Sequence, residues 1–159
     1  MIEYAAQKLS RRINSIVPEA NVNIMAYEIA RQINFYSIIV LTILIGTLTG
    51  KIFESILAMT GCATLRRLSG GRHLSLTACT VFSVSLFTIS PILPITHANM
   101  LLLTCLTILI LLIYSKKGAK IKFFSIALVS ANFLILSPAL AVVYTVQAVS
   151  IIHRKGGAR

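Results

Sequence analysis

Apolar residues in this chain fall into long runs separated by short charged segments, and the runs set the expected elements. In residues 2–17, Ile2, Ala5, Ala6, Leu9, Ile13 and Ile16 recur at helical spacing, while Glu3, Lys8, Arg11 and Arg12 fall largely elsewhere. That pattern predicts an amphipathic helix lying in the headgroup plane, ended by Pro18. Residues 21–31 read as a second mixed helix leading into a first span over 33–50, which is apolar, uncharged and ended by Lys51. Residues 52–65 form a short segment that crosses with Glu54 near the outer interface. A basic loop, 66–72, contains Gly70 and Gly71. Residues 74–95 form a long apolar run with Pro91 and Pro94 near its end, followed by a turn at 96–99 and a Leu- and Ile-rich run at 100–114. Residues 116–122 are a second basic loop.

The last run, 123–152, poses a length problem. As one helix its 30 residues would extend about 45 Å, well beyond a hydrocarbon core of about 30 Å. Ser137-Pro138 stands in its middle, where proline breaks the helical ladder. The basic segments with Arg66, Arg67 and Arg72, with Lys116, Lys117, Lys120 and Lys122, and with Arg154, Lys155 and Arg159 all favour the cytoplasmic side. An even number of crossings between the last two is therefore expected, which makes 123–152 a hairpin of two short helices. The predicted fold is an all-α polytopic membrane bundle with four full spans, a C-terminal helical hairpin and an interfacial N-terminal helix. It forms a single membrane domain, with 1–20 interfacial and 21–159 as the transmembrane core.

Composition agrees. Hydrophobic residues make up 57% of the chain, mean hydropathy is +0.87, and only 12% of residues are charged, against about 25% in soluble domains. A soluble chain of 159 residues exposes too much surface to hide this apolar fraction. Fifteen Lys and Arg face four acidic residues, a net charge of +11. The cations flank apolar runs, so they point to anionic lipid and to an acidic peptide partner, not to nucleic acid. The N-terminus lacks the continuous apolar core of a cleavable signal.

Three cysteines, Cys62, Cys79 and Cys105, are an odd number without regular spacing, which argues against a disulfide framework. No spacing suggests a metal site, and no cofactor motif is present. With no Asp in the chain, metal-dependent transfer through an Asp-rich motif is excluded. The informative stretch is Arg66-Arg67-Leu68-Ser69-Gly70-Gly71-Arg72-His73, followed by Cys79. A glycine pair lets the backbone turn tightly at a membrane edge. A thiol becomes a strong nucleophile when a base takes its proton or when cations stand nearby. His73 is the candidate base, Cys79 the candidate nucleophile, and Arg66, Arg67 and Arg72 supply positive potential. Glu54 is either an intramembrane functional carboxylate or a partner of Lys51. Cys62 and Cys105 read as packing residues, and His97 and His153 as distant from Cys79 in topology.

The run RRLSGGRH with a cysteine a few residues on resembles the AgrB (accessory gene regulator B) family of bacterial quorum-sensing membrane peptidases. The likeness extends over most of the chain in architecture. It implies a cysteine endopeptidase of the bacterial cytoplasmic membrane, with its catalytic loop and C-terminus on the cytoplasmic side. Such an enzyme cuts the C-terminal tail from a small AgrD-like propeptide, holds the new carboxyl end as a thioester, and yields a cyclic thiolactone or lactone. By motif position the resemblance makes Cys79 the nucleophile and His73 the base; it also implies a homodimer in the lipid bilayer. The family usually separates the two residues by seven positions, and here the separation is six. On one continuous helix that would turn them about 120° apart. The dyad therefore requires His73 to lie outside the helix, or a distorted first turn. The competing class is a non-enzymatic membrane protein, such as a transporter subunit or pore former.

Overall fold

The computed structural model describes residues 2–15, 21–70, 75–115 and 118–152. Pro18, Gly71, Arg72, His73, Lys116, Lys117, His153, Arg154, Lys155 and Arg159 lie outside the described residues. The described chain is all-helical, with no strand among its residues. Helix α1 (Ile2–Asn14) buries Ala6 and Ser10, one turn apart, against α2.

The mixed segment 21–31 and the apolar run 33–50 form one helix, α2 (Val22–Leu48), where two elements were expected. The reason is local: no proline occurs in it, and no glycine before Gly46. The Asn21 carboxamide caps its start, accepting from Asn23 N at 3.0 Å and Ile24 N at 3.4 Å. Thr49, Gly50 and Lys51 turn the chain into α3 (Ile52–Ser69), which packs beside α2 where Gly46 meets Ile52 and Ser55. Helix α4 (Leu76–Ile89) is shorter than the run 74–95, because it stops at Ser90 ahead of Pro91. Helix α5 (His97–Tyr114) takes in most of the expected turn at 96–99, because the Thr96 hydroxyl accepts from Asn99 N and caps a helix there.

The last apolar run is divided. Helix α6 (Ala119–Ser130) includes Lys120 and Lys122, which were expected in a loop. A short α7 (Asn132–Ile135) follows, then a break at Leu136 and Ser137, then α8 (Pro138–Ile152). Leu136 takes the left-handed conformation, with φ 54°. Buried Asn132 bridges the break: its Oδ1 accepts from Ser137 N at 3.1 Å and its Nδ2 donates to Thr104 Oγ1 at 3.3 Å. Pro138 sits at the first helical position, where a missing N–H costs nothing.

Hydrogen bonds fix the helix directions. Lys122 Nζ donates to Leu112 O, and Asn132 reaches Thr104, so α6 runs back along α5. Thr145 meets Thr107 at 3.0 Å, and Gln147 Nε2 donates to Gly70 O at 2.7 Å, so α8 returns alongside α5 and α3. The ends of α3, α5 and α8 and the starts of α4 and α6 thus share one end of the bundle, together with Arg66, Arg67, Lys120 and Lys122. The core holds Leu65, Leu111, Val129, Leu140 and Tyr144, at the centre of α3, α5, α6 and α8.

Among the described residues, two helices, α2 and α5, are long and apolar enough to cross a membrane. Large apolar side chains such as Val40, Leu44, Leu102 and Leu109 point outward from them. The other expected full spans differ. Helix α3 has the length but carries Glu54, Arg66 and Arg67, and the 14 residues of α4 extend only about 21 Å.

Helices α3 and α8 approach most closely at Gly61. A Cβ there would lie 2.6 Å from Leu140 Cδ2 and 3.0 Å from the Tyr144 hydroxyl, both on side chains that are almost fully buried. Gly61→Val is expected to lower unfolding stability by about 1–3 kcal/mol, the usual cost of overpacking. Chemical denaturation in mild detergent measures it; unchanged stability would mean that the contact has room to yield.

Candidate active site

Ser75 is extended (φ −56°, ψ 150°) and stands as the N-cap of α4. Its carbonyl accepts the Cys79 N–H at 2.8 Å, which sets Cys79 just inside the first turn. Because α4 begins only at Leu76, a six-position separation from residue 73 is not measured along one helix. His73 itself lies outside the described residues, as does Arg72.

Cys79 is half-buried, and Arg66 from the last turn of α3 points at it, with Nη1 3.7 Å from Sγ. Ser83, one turn further along α4, places Oγ 3.9 Å from the same sulfur. Arg67 faces outward and does not line the cavity. Arg66 is well placed electrostatically, since a cation in the last turn of a helix is favoured by the carbonyl-rich end.

The sulfur opens onto a cavity of about 400 Å³ between α3, α4 and α8. Phe82, Leu86 and Val146 give it an apolar wall. Arg66, Gln147 and Ser150 supply polar groups at one side. A thiol and a guanidinium at the rim of an apolar cleft can hold an extended peptide with its carbonyl against the sulfur. The N–H groups of Leu76, Thr77 and Ala78, ahead of the bonded N–H of Cys79, have no intrahelical acceptors, and Ser75 supplies no side-chain cap.

Among the described residues, no three His, Cys, Asp or Glu side chains group as a metal site would need. Cys62, read from sequence as packing, is buried but lines the cavity with Cys79. Cys105 lies exposed on α5. Glu54 pairs with Lys51 at 3.4 Å, both side chains about half exposed, as a boundary pair would. His97 opens α5, at the opposite end of that helix from Tyr114. The contribution of α8 was missed. Its signal was Gln147, a lone carboxamide in the otherwise apolar run 138–152.

The family described as Accessory gene regulator B matches the chain over residues 2–153. No curated protein and no solved structure matches it.

Arg66 facing the sulfur has a measurable consequence. Arg66→Gln removes the cation that would pair with a thiolate, and is expected to slow alkylation of Cys79 by iodoacetamide roughly tenfold at neutral pH. Lys51→Gln, at the far end of α3, should leave the rate unchanged. Site-resolved mass spectrometry reads both; equal rates in wild type and Arg66→Gln would detach the guanidinium from the chemistry.

Proposed function

Because the chain belongs to the AgrB family, a family associated with processing of AgrD-type propeptides, we propose that it is a membrane cysteine endopeptidase that matures a small signal peptide. The observation that carries this reading is the Arg66 guanidinium on the Cys79 sulfur at the mouth of the apolar cavity.

In this mechanism Cys79 gives its proton to His73 and attacks the carbonyl carbon at the junction between peptide and tail. The carbon–nitrogen bond breaks, and the departing amine takes the proton from the imidazolium. First-turn N–H groups of α4 are the candidate donors to the tetrahedral oxyanion. The peptide remains as a thioester on Cys79. An internal thiol of the peptide gives its proton to His73 and attacks that carbonyl, and Cys79 leaves as a thiolate that takes this proton back from the imidazolium. A peptide hydroxyl in place of the thiol gives the lactone. A thioester lies uphill of a peptide bond, so water must be kept away from it, and the apolar wall of Phe82, Leu86 and Val146 serves that need.

His73 stands two positions before Ser75, whose carbonyl holds the Cys79 N–H, so the chain between base and nucleophile is short. Arg66, Arg67 and Arg72 bind the acidic tail of the propeptide. The gathering of Arg66, Arg67, Lys120 and Lys122 at one end of the bundle supports that end as cytoplasmic. On this reading the chain is a single domain of the bacterial cytoplasmic membrane, with α2, α3, α4 and α5 crossing and α6 to α8 forming the hairpin. It acts as a homodimer in the bilayer.

The test uses the purified protein in lipid vesicles with a synthetic propeptide. Cys79→Ala and His73→Ala should each abolish cleavage while inserting normally. Wild type should form a peptide adduct that hydroxylamine releases. Full cleavage by Cys79→Ser or Cys79→Ala would overturn the proposal, and a wild type that cleaves nothing, with a transport activity sensitive to Glu54 and not to Cys79, is what a transporter subunit predicts.

A further inference from the structure

Gln147 is buried in the middle of an apolar helix and bonded across the bundle. A carboxamide placed among apolar residues costs free energy unless both its donor and acceptor groups find partners. The Gln147 Nε2 donates to Gly70 O at 2.7 Å, a contact spanning 77 positions of sequence. The Ser69 hydroxyl also approaches Gly70 O, at 3.3 Å, but its single proton has a closer acceptor in Leu65 O at 2.7 Å. Gln147 is therefore the principal donor to that carbonyl.

The carbonyl it holds is unusual. Gly70 closes α3 with φ 79° and ψ −157°, a conformation that glycine adopts readily and other residues rarely. Gly70 N donates to Arg66 O at 2.9 Å, so the last turn of α3 runs from Arg66 to the clamped residue. Helix ends fray when unsupported. Arg66 sits in that turn, with its guanidinium on Cys79, and Gln147 lines the same cavity.

We infer that Gln147 is a positioning residue: by clamping Gly70 O it locks the last turn of α3 and so holds the Arg66 guanidinium on the Cys79 sulfur. The inference rests on Cys79 as the nucleophile. It predicts an effect of α8 on a thiol that α8 does not bond, exerted through Arg66.

Gln147→Met tests this in the full-length protein in lipid vesicles, since methionine fills similar space without an N–H donor. The kcat/KM for propeptide cleavage is expected to fall about a hundredfold, as for a displaced group that serves both the thiol and the bound peptide. Iodoacetamide alkylation of Cys79 should slow to the rate of Arg66→Gln, and the double variant should be no slower than either single one. Should Gln147→Met not insert, Gln147→Asn carries the same test, because it keeps the amide but withdraws it by one methylene. A wild-type rate in the inserted variant, or a loss that adds in full to that of Arg66→Gln, would overturn the inference. Alkylation keeps the two readings apart. Cleavage surviving Cys79→Ala removes the peptidase assignment, whereas a silent Gln147 variant beside an inactive Cys79→Ala removes only the clamp.

Discussion

Close approach of α3 and α8 is the constraint on which the rest of this molecule depends. Where the surroundings are apolar, helices gain little from hiding greasy surface, and association rests on tight packing and a few polar contacts. Gly61 supplies the packing by letting Leu140 and Tyr144 lie against the α3 backbone. Nine residues further along α3, Gln147 supplies the polar contact at Gly70. One helix pair thereby carries both the centre of the core and one side of the cavity that holds Cys79. The break at Leu136 and Ser137, bridged by Asn132, is what returns α8 to this position. Without the Asn132 carboxamide oxygen the Ser137 N–H would be left unpaired in the interior.

The architecture was legible where apolar runs and breakers speak plainly. Lys51, Pro91 and Ser137-Pro138 each stand at or beside a helix end, and the 30-residue run was too long to be one span. Boundaries failed where local capping decided them. Thr96 starts a helix that hydropathy alone had begun at Met100, and the charges of residues 21–31 concealed that they belong to the same helix as the apolar run. The helices long and apolar enough to cross on their own, α2 and α5, are fewer than the full spans read from hydropathy. Hydropathy measures a stretch of sequence, whereas crossing also depends on the length of helix that forms and on the charges at its ends.

The site divides in the same way. The motif around Gly70 drew attention to Arg66 and Cys79, and these two side chains do meet. What the motif could not reveal is the third wall. Gln147, Val146 and Ser150 come from a helix more than sixty positions downstream, and no local spacing ties them to Cys79. A single carboxamide in an apolar run was the available clue, because an unpaired amide is costly there and must find a partner. Cys62 does pack in the core, beside Ala58, Phe87, Ala139 and Val143. Its type and surroundings suggested packing alone, yet it borders the same cavity as the candidate nucleophile.

The shortness of α4 has a consequence for its surroundings. At about 21 Å it is roughly 9 Å shorter than an average hydrocarbon layer. If it crosses, the leaflets beside it must dimple inward, an elastic deformation costing fractions of a kcal/mol for each ångström. That depression would bring the aqueous boundary toward Cys79. The lipid itself would then set how deep an incoming chain must sink to reach the sulfur, and acyl-chain length would become a property of the catalyst as much as of its host membrane.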